Sequence, residues 1–230
     1  MSLLREFPLW AWTGAGVLAL VAGMVNVVGY LGFEHQAITH LTGLTTLLGA
    51  ALAQRDAHAI GALALVIGAF LGGAVLSGAI IGDSTLRLGR RYGITLMFES
   101  ALLIATVPLF ERRQIFAAAV AATACGLQNA MTASYSGTLV RTSHLTGMFT
   151  DLGIFLGHRL RGAAADHRRF SLCILIICGF MLGGTIGTLL FERFAYQALY
   201  APAALTGLAG IAYIGYRLGA GSAKRKRYER

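Results

Sequence analysis

A short polar motif, His-Leu-Thr-Gly, occurs twice and carries most of the side chains with chemical potential in this chain. It stands at residues 40–43 and again at 144–147, and the flanking stretches 39–49 and 143–153 also match. The offset between the copies is 104 residues (144 − 40). A duplicated polar motif in an apolar chain is typical of membrane proteins built from two repeats, with a binding site where the repeats meet.

The histidines and threonines of the motif allow several kinds of chemistry. His40 and His144 can titrate near neutral pH and so bind a solute or proton, hold a metal ion, or donate one structural hydrogen bond. The hydroxyls of Thr42 and Thr146 can meet a solute or bond back to carbonyls of their own helix. The sequence leaves these alternatives open.

Gly43 and Gly147, which end the motif, would let the backbone bend or approach a ligand closely. A helix that begins at either motif would direct its N-terminal N–H groups, which carry partial positive charge, toward the interior. Two such ends would attract an anion or a carboxylate. The motif therefore predicts a small anionic or zwitterionic solute between its two copies.

Neutral amides precede each motif in the apolar segments. Asn26, Gln128 and Asn129 would add hydrogen-bonding groups to the same substrate-binding site. Arg141, just before the second motif, would either steer an anion or mark the cytoplasmic side of the membrane.

Two acidic residues lie inside apolar segments, Glu99 in the middle of one span and Asp151 within the second motif region. An ionisable side chain in hydrocarbon is costly, and it is a functional candidate by default. Either acid would take up a proton or couple an ion during transport, or a neighbouring arginine would hold it for packing. Asp151 aligns with Leu47, so the two halves differ at this position.

The composition indicates a membrane protein. The chain has 230 residues, of which 56% are hydrophobic and 13% charged, whereas soluble domains have about 25% charged residues. Its net charge of +9 is concentrated in short loops and in the tail at residues 218–230. This placement fits the positive-inside rule and an anionic inner leaflet, and it argues against nucleic-acid binding.

The apolar segments predict an all-α integral membrane protein that forms a single domain over residues 1–230. Two homologous repeats, 9–110 and 114–217, would each contribute three spans and one short half-helix or re-entrant segment. With three spans each, the repeats are inverted relative to one another. The spans are expected at about 9–33, 57–82, 92–110, 114–136, 170–192 and 197–217, and the short segments at 40–53 and 144–157.

Loop charge supports six spans slightly better than eight, and in both arrangements the N- and C-termini are cytoplasmic. Eight spans would require the two short segments to cross the membrane, and the sequence does not exclude this.

Two further glycine patterns recur in the same order. Gly23-x-x-Asn26 matches Gly126-x-x-Asn129 at an offset of 103, and G-x-x-L-G-G at 68–73 matches 179–184 at an offset of 111. Glycines at such spacing let another helix backbone approach closely. They serve packing within the chain or a homodimer face, and the sequence leaves both open.

The motifs resemble those of the YoaK-like family of integral membrane proteins, a bacterial family of unknown function. The resemblance rests on Gly29-Tyr30-Leu31, Gly126 to Ala130, Val140-Arg141-Thr142 and the two His-Leu-Thr-Gly motifs, and it covers nearly the whole chain. The family often has an acid at the position of Asn26. The resemblance implies a multi-pass protein of the bacterial inner membrane, and it implies no particular solute.

These observations favour a small secondary transporter whose solute binds between the two motifs. A passive channel that uses the same half-helices is the alternative, and a structural or partner-binding membrane protein is a second one. No defensible Ser-His-Asp arrangement and no metal-ligand spacing is present, so we expect neither an enzyme nor a bound cofactor or metal.

Overall fold

The computed structural model describes residues 8–32, 38–82, 89–112, 114, 116–136, 141–163 and 166–228, excluding the side chains of residues 90 and 217–228. The described residues form eight α-helices and a short 3-10 helix. The helices are α1 Leu9–Gly32, α2 Leu41–Gln54, α3 Ala57–Ile81, α4 Arg90–Glu111, α5 Phe116–Ser136, α6 Leu145–Leu160, α7 His167–Phe194 and α8 Tyr200–Tyr228, with the 3-10 helix Ala195–Leu199 before α8. The all-α prediction is confirmed for this part of the chain.

Four described stretches are long and apolar enough to cross a membrane. They are Leu9–Gly32, Ala57–Ile81, Arg91–Glu111 and the 50 residues His167–Tyr216, which contain both α7 and α8. Membrane-helix character is therefore confirmed. The six predicted spans fall on α1, α3, α4, α5, α7 and α8; α5, which carries polar amides and hydroxyls, is not among the four stretches.

The two short segments are helices that begin in nearly the same way. α2 follows His40 (φ −92°, ψ 67°) and α6 follows His144 (φ −93°, ψ 61°). The next helix of each half is capped by an aspartate: Asp56 accepts two first-turn N–H bonds of α3, and Asp166 accepts two of α7. α2 packs on α3, and α6 packs on α7.

The expected tail is partly a continuation of a helix, because the backbone of α8 runs on to Tyr228. The side chains of its basic cluster, and residues 229–230, lie outside the described part of the chain.

Glycines let α7 lie directly against α1. A Cβ atom added to Gly183 would overlap the carbonyl of Leu20, and one added to Gly23 would overlap the carbonyl of Phe180. The contacts advance together along both helices, which shows that the two run parallel: Gly179 faces Gly16, Gly183 faces Leu20 and Gly187 faces Met24.

The pair α3 and α5 repeats these contacts at a constant offset. Gly73 meets the carbonyl of Thr123 as Gly183 meets that of Leu20, and Gly126 meets that of Phe70 as Gly23 meets that of Phe180. The offset is 103 from α1 to α5 (126 − 23) and 110 from α3 to α7 (183 − 73). The alignment of the G-x-x-L-G-G motifs at 111 is therefore wrong by one residue, because packing equates Gly73 with Gly183.

The remaining glycines of α3 serve no contact within the described residues. A Cβ atom added to Gly68, Gly72 or Gly78 would meet nothing within 4 Å. On α7, by contrast, the glycine series packs on α1. The homodimer face predicted from these glycines stays a prediction. Of the two helices α3 and α7, α3 leaves more of its glycines uncovered.

α1 and α5, which carry the matching Gly-x-x-Asn motifs, run in opposite directions where they meet. The rings of Trp10 and Tyr135 are 5.5 Å apart, and the side-chain amide of Gln128 donates to the carbonyl of Leu18 at 2.7 Å. Residue numbers thus rise along α1 as they fall along α5. α4 and α8 are likewise antiparallel.

The two ends of the bundle are packed differently. At one end, α1, α4, α5 and α8 enclose a cavity of about 710 Å³, which we call the aromatic cavity because Trp10, Tyr92 and Tyr135 are among its lining residues. At the other end, the equivalent region is filled, and Tyr196 of the 3-10 helix stacks on Phe110 with ring centroids 4.7 Å apart. Accordingly, α4 packs closely along α5, whereas the equivalent pair α8 and α1 touches far less.

Candidate functional site

The two His-Leu-Thr-Gly segments meet at a second cavity, which we call the half-helix cavity. Its volume is about 600 Å³, and it lies between the starts of α2 and α6 and the helices α1, α3, α5 and α7. Its lining residues are Asn26, Thr39, His40, Leu41, Thr42, Phe70, Ala74, Gly126, Asn129, Ala130, Ala133, Arg141, Ser143, His144, Leu145, Thr146 and Phe180.

An asparagine ties each motif to the preceding helix. The Asn26 Oδ1 accepts hydrogen bonds from the Thr39 backbone N (3.2 Å) and hydroxyl (2.6 Å). The Asn129 Oδ1 accepts from the Ser143 backbone N (3.4 Å), and its Nδ2 donates to the Ser143 hydroxyl (2.7 Å) and to the Cys125 carbonyl (3.0 Å). These bonds hold the chain just ahead of each histidine, so they fix where α2 and α6 begin.

The starts of α2 and α6 face the half-helix cavity without a side-chain cap. His40 and His144 occupy the cap positions, and neither side chain accepts a hydrogen bond from the helix. The first N–H groups of a helix have no acceptor within that helix. Because α3 and α7 carry aspartate caps and these two helices do not, their N-terminal N–H groups are left for another acceptor.

The glycine of each motif makes room for the histidine ring. A Cβ atom on Gly43 would lie 2.5 Å from Nδ1 of His40, and one on Gly147 would lie 3.0 Å from Nδ1 of His144. Each imidazole therefore lies over the first turn of its own helix. The glycines act here by their lack of a side chain, since their backbone φ is ordinary.

The charge in the half-helix cavity is positive. Arg141 lines it together with both histidines, and its lining residues include no aspartate or glutamate. The cationic side chain adds to the partial positive charge of two helix N-termini. Electrostatically, this cavity suits an anionic group.

Six predicted site residues line the half-helix cavity: Asn26, His40, Thr42, Asn129, His144 and Thr146. Gly43 and Gly147 lie beside the histidine rings as described. The other three predicted residues lie elsewhere.

Gln128 is 1% exposed and points toward α1, to which it donates its hydrogen bond. Asp151 forms a two-pronged ion pair with Arg169 of α7, with N–O distances of 2.9 to 3.2 Å. This pair corresponds to the packing alternative raised for the acid. Glu99 is 1% exposed on α4, outside the half-helix cavity. Coupling of an ion by either acid stays a prediction.

Comparison with known families gives one match. The model of a family described as a protein of unknown function, DUF1275, matches residues 14–212. The chain belongs to the DUF1275 family. No curated protein and no solved structure matches it.

Sequence reasoning missed four polar or aromatic residues that line the half-helix cavity of this DUF1275 chain. Thr39 and Ser143, the partners of the asparagines, directly precede the histidines, so the alignment of the two motifs already contained them. Phe70 and Phe180 stand within the glycine motifs and line the half-helix cavity from α3 and α7. Reading those motifs only as packing devices hid the two aromatic rings.

Proposed function

We propose that this DUF1275 protein is a small secondary transporter, and that it lies in the bacterial inner membrane, as its resemblance to the YoaK-like family implies. Its solute is small and anionic or zwitterionic, and it binds in the half-helix cavity. The observation that carries the proposal is the lining of that cavity: two uncapped helix N-termini and Arg141, with no carboxylate among its lining residues.

The two halves are inverted repeats in this proposal. Support comes from the antiparallel course of the equivalent helices α1 and α5, and from glycine contacts that recur at constant offsets. Six helices cross the bilayer, and α2 and α6 enter it from opposite sides without crossing. The positive-inside rule then places both termini in the cytoplasm, because Arg91, Arg159 and Arg169 fall on that side.

Alternating access follows from the unequal packing of the two ends. In an inverted-repeat protein, exchanging the conformations of the halves generates the opposite-facing state. Here the exchange would pack α8 closely along α1, in the way that α4 packs along α5 in the present structure. It would also open the end of the bundle that Tyr196 and Phe110 fill. Asn26 and Asn129 stand on α1 and α5, the helices that change partners, so the motion reaches the solute.

The filled end also favours a transporter over a channel, because a channel needs one continuous path through the bundle. Alanines of α5 at that end are fully buried, among them Ala117, Ala118 and Ala121.

Thermal unfolding of the purified protein in detergent tests the proposal. The probes are the sodium salts of formate, acetate, succinate, phosphate and glutamate, with glycine as a zwitterion and glycerol as an uncharged control. A ligand at 100 times its Kd stabilises the folded state by about 2.7 kcal/mol. We expect at least one anion or zwitterion, and not glycerol, to raise Tm.

The control is a matched pair of arginine variants. Arg141→Ala should abolish the Tm shift, and Arg193→Ala, on α7 outside the half-helix cavity, should keep it. Equal shifts in both variants, or no shift with any probe, would count against an anion site between the half-helices.

A further inference from the structure

The aromatic cavity shares no lining residue with the half-helix cavity, and five aromatic side chains contribute to its wall. Its lining includes Trp10, Tyr92, Tyr135, Tyr213 and Tyr216. Tyr135 stands centrally: its ring centroid is 5.5 Å from that of Trp10 and 6.0 Å from that of Tyr92, which meets it edge to face. At about 710 Å³, the space is large enough for an organic molecule of moderate size.

A wall of this kind has a definite chemical preference. The face of an aromatic ring carries negative charge density, and tryptophan and tyrosine hold cations over that face most strongly. Quaternary ammonium groups are bound by cages of such rings. Arg91 precedes Tyr92 on α4. Its guanidinium lies 3.9 Å from the Cβ position of Gly82, beside the end of α3.

The buried carboxyl group of Glu99 lies about one helical turn from the aromatic cavity along α4. Tyr92, Leu96 and Glu99 stand at spacings of four and three residues on α4 and therefore share one helix face. Tyr92 and Leu96 line the cavity, and Glu99 follows about 4.5 Å further along the helix axis. It is 1% exposed, and its Oε2 has no hydrogen-bond partner among the described residues.

We propose that the aromatic cavity is a binding site for an organic ammonium cation, with the carboxylate of Glu99 as its counter-charge. The cation rests against the rings of Trp10, Tyr92 and Tyr135 and supplies the positive charge that a buried carboxylate needs. This site is separate from the half-helix cavity and goes beyond the proposed transport of an anion or zwitterion. A bound cation would keep this end of the bundle open.

Tryptophan fluorescence can test the site directly, because the chain has two tryptophans and Trp10 alone lines the cavity. In a Trp12→Phe background, the purified protein is titrated with benzyltrimethylammonium and with neopentylbenzene, its uncharged carbon isostere. We expect saturable quenching of Trp10, with the cation binding at least about tenfold more tightly than the isostere.

Three variants separate the contribution of the aromatic ring from that of the carboxylate. Tyr135→Phe keeps the ring and should keep cation binding, whereas Tyr135→Leu should weaken it about tenfold. Glu99→Gln should weaken binding of the cation and leave binding of the isostere unchanged.

Equal affinity for cation and isostere would overturn the proposal and leave an apolar cavity only. An equal loss of affinity for both ligands in Glu99→Gln would also overturn it, as would the absence of saturable quenching. Arg141→Ala should have no effect on this titration, so failure here and failure of the proposed anion site are distinguishable.

Discussion

Replacing Gly73 by alanine should lower Tm by roughly 5–10 °C, because the added methyl group would overlap the backbone of α5 at Thr123 and Leu127. Backbone atoms cannot move aside as a flexible side chain can, so α3 must shift along most of its interface. Overpacking of this kind costs about 1–3 kcal/mol, and one kcal/mol corresponds to about 2–4 °C in a chain of this size. Thermal unfolding of the purified variants measures the effect.

The neighbouring glycines supply matched controls for this prediction. Gly72→Ala should be nearly neutral because nothing lies within 4 Å of its Cβ position, and the same contrast should hold between Gly183→Ala and Gly184→Ala. If Gly72→Ala destabilised as much as Gly73→Ala, the register that equates Gly73 with Gly183 would be wrong.

Asn129→Asp should destabilise the protein far more than Asn26→Asp, although the two residues occupy equivalent positions. The Asn26 side chain accepts both of its hydrogen bonds through Oδ1, and a carboxylate keeps that capacity. Asn129 also donates through Nδ2, to the Cys125 carbonyl and to the Ser143 hydroxyl. A carboxylate there would lose one donor bond outright and place its charge against a carbonyl oxygen.

We expect a loss of about 1–2 kcal/mol for Asn129→Asp and less than about 1 kcal/mol for Asn26→Asp, from the cost of leaving a partly buried polar group unsatisfied. Thermal unfolding of both variants, with Asn26→Ala as a reference for complete loss of the acceptor, tests this order. Asn26→Asp should also abolish any anion-induced Tm shift, since its carboxylate faces the bound anion. Equal destabilisation by the two aspartates would refute the assigned hydrogen-bond directions.

Much of the fold could be predicted from sequence because the repeat and the apolar segments report on it directly. The His-Leu-Thr-Gly motif marked the starts of α2 and α6 to within one residue, since a polar motif between apolar runs marks a helix boundary. Four of the six predicted residues that line the half-helix cavity belong to this motif. The offset of the glycine motifs was wrong by one because Gly72 and Gly73 match equally well by residue type, and only packing distinguishes them.

The orientation of single side chains was less predictable. Gln128 and Asn129 are adjacent on α5, and neighbours on a helix point about 100° apart. Asn129 lines the half-helix cavity, whereas Gln128 donates to the carbonyl of Leu18 on α1. The pairing of Asp151 with Arg169 joins two helices across a loop, and no local pattern reports such a contact. The aromatic cavity was missed for the same reason, because its rings come from four separate helices.

Accessibility of two equivalent positions tests alternating access most directly. Gly14 lines the aromatic cavity and has open space at its Cβ position, whereas its equivalent Ala117 (an offset of 103) is fully buried at the filled end. Each is changed to cysteine after replacement of the native Cys125, Cys173 and Cys178. Reaction with a small charged methanethiosulfonate is then followed in nanodiscs, where both faces are open to the reagent.

We expect Gly14→Cys to react quickly and Ala117→Cys slowly. Adding Tyr196→Ala, which removes the stack on Phe110, should reverse this order, because opening one end closes the other. Simultaneous fast reaction at both positions would indicate a continuous channel. Rates that Tyr196→Ala leaves unchanged would contradict the exchange of packing on which the transporter proposal depends.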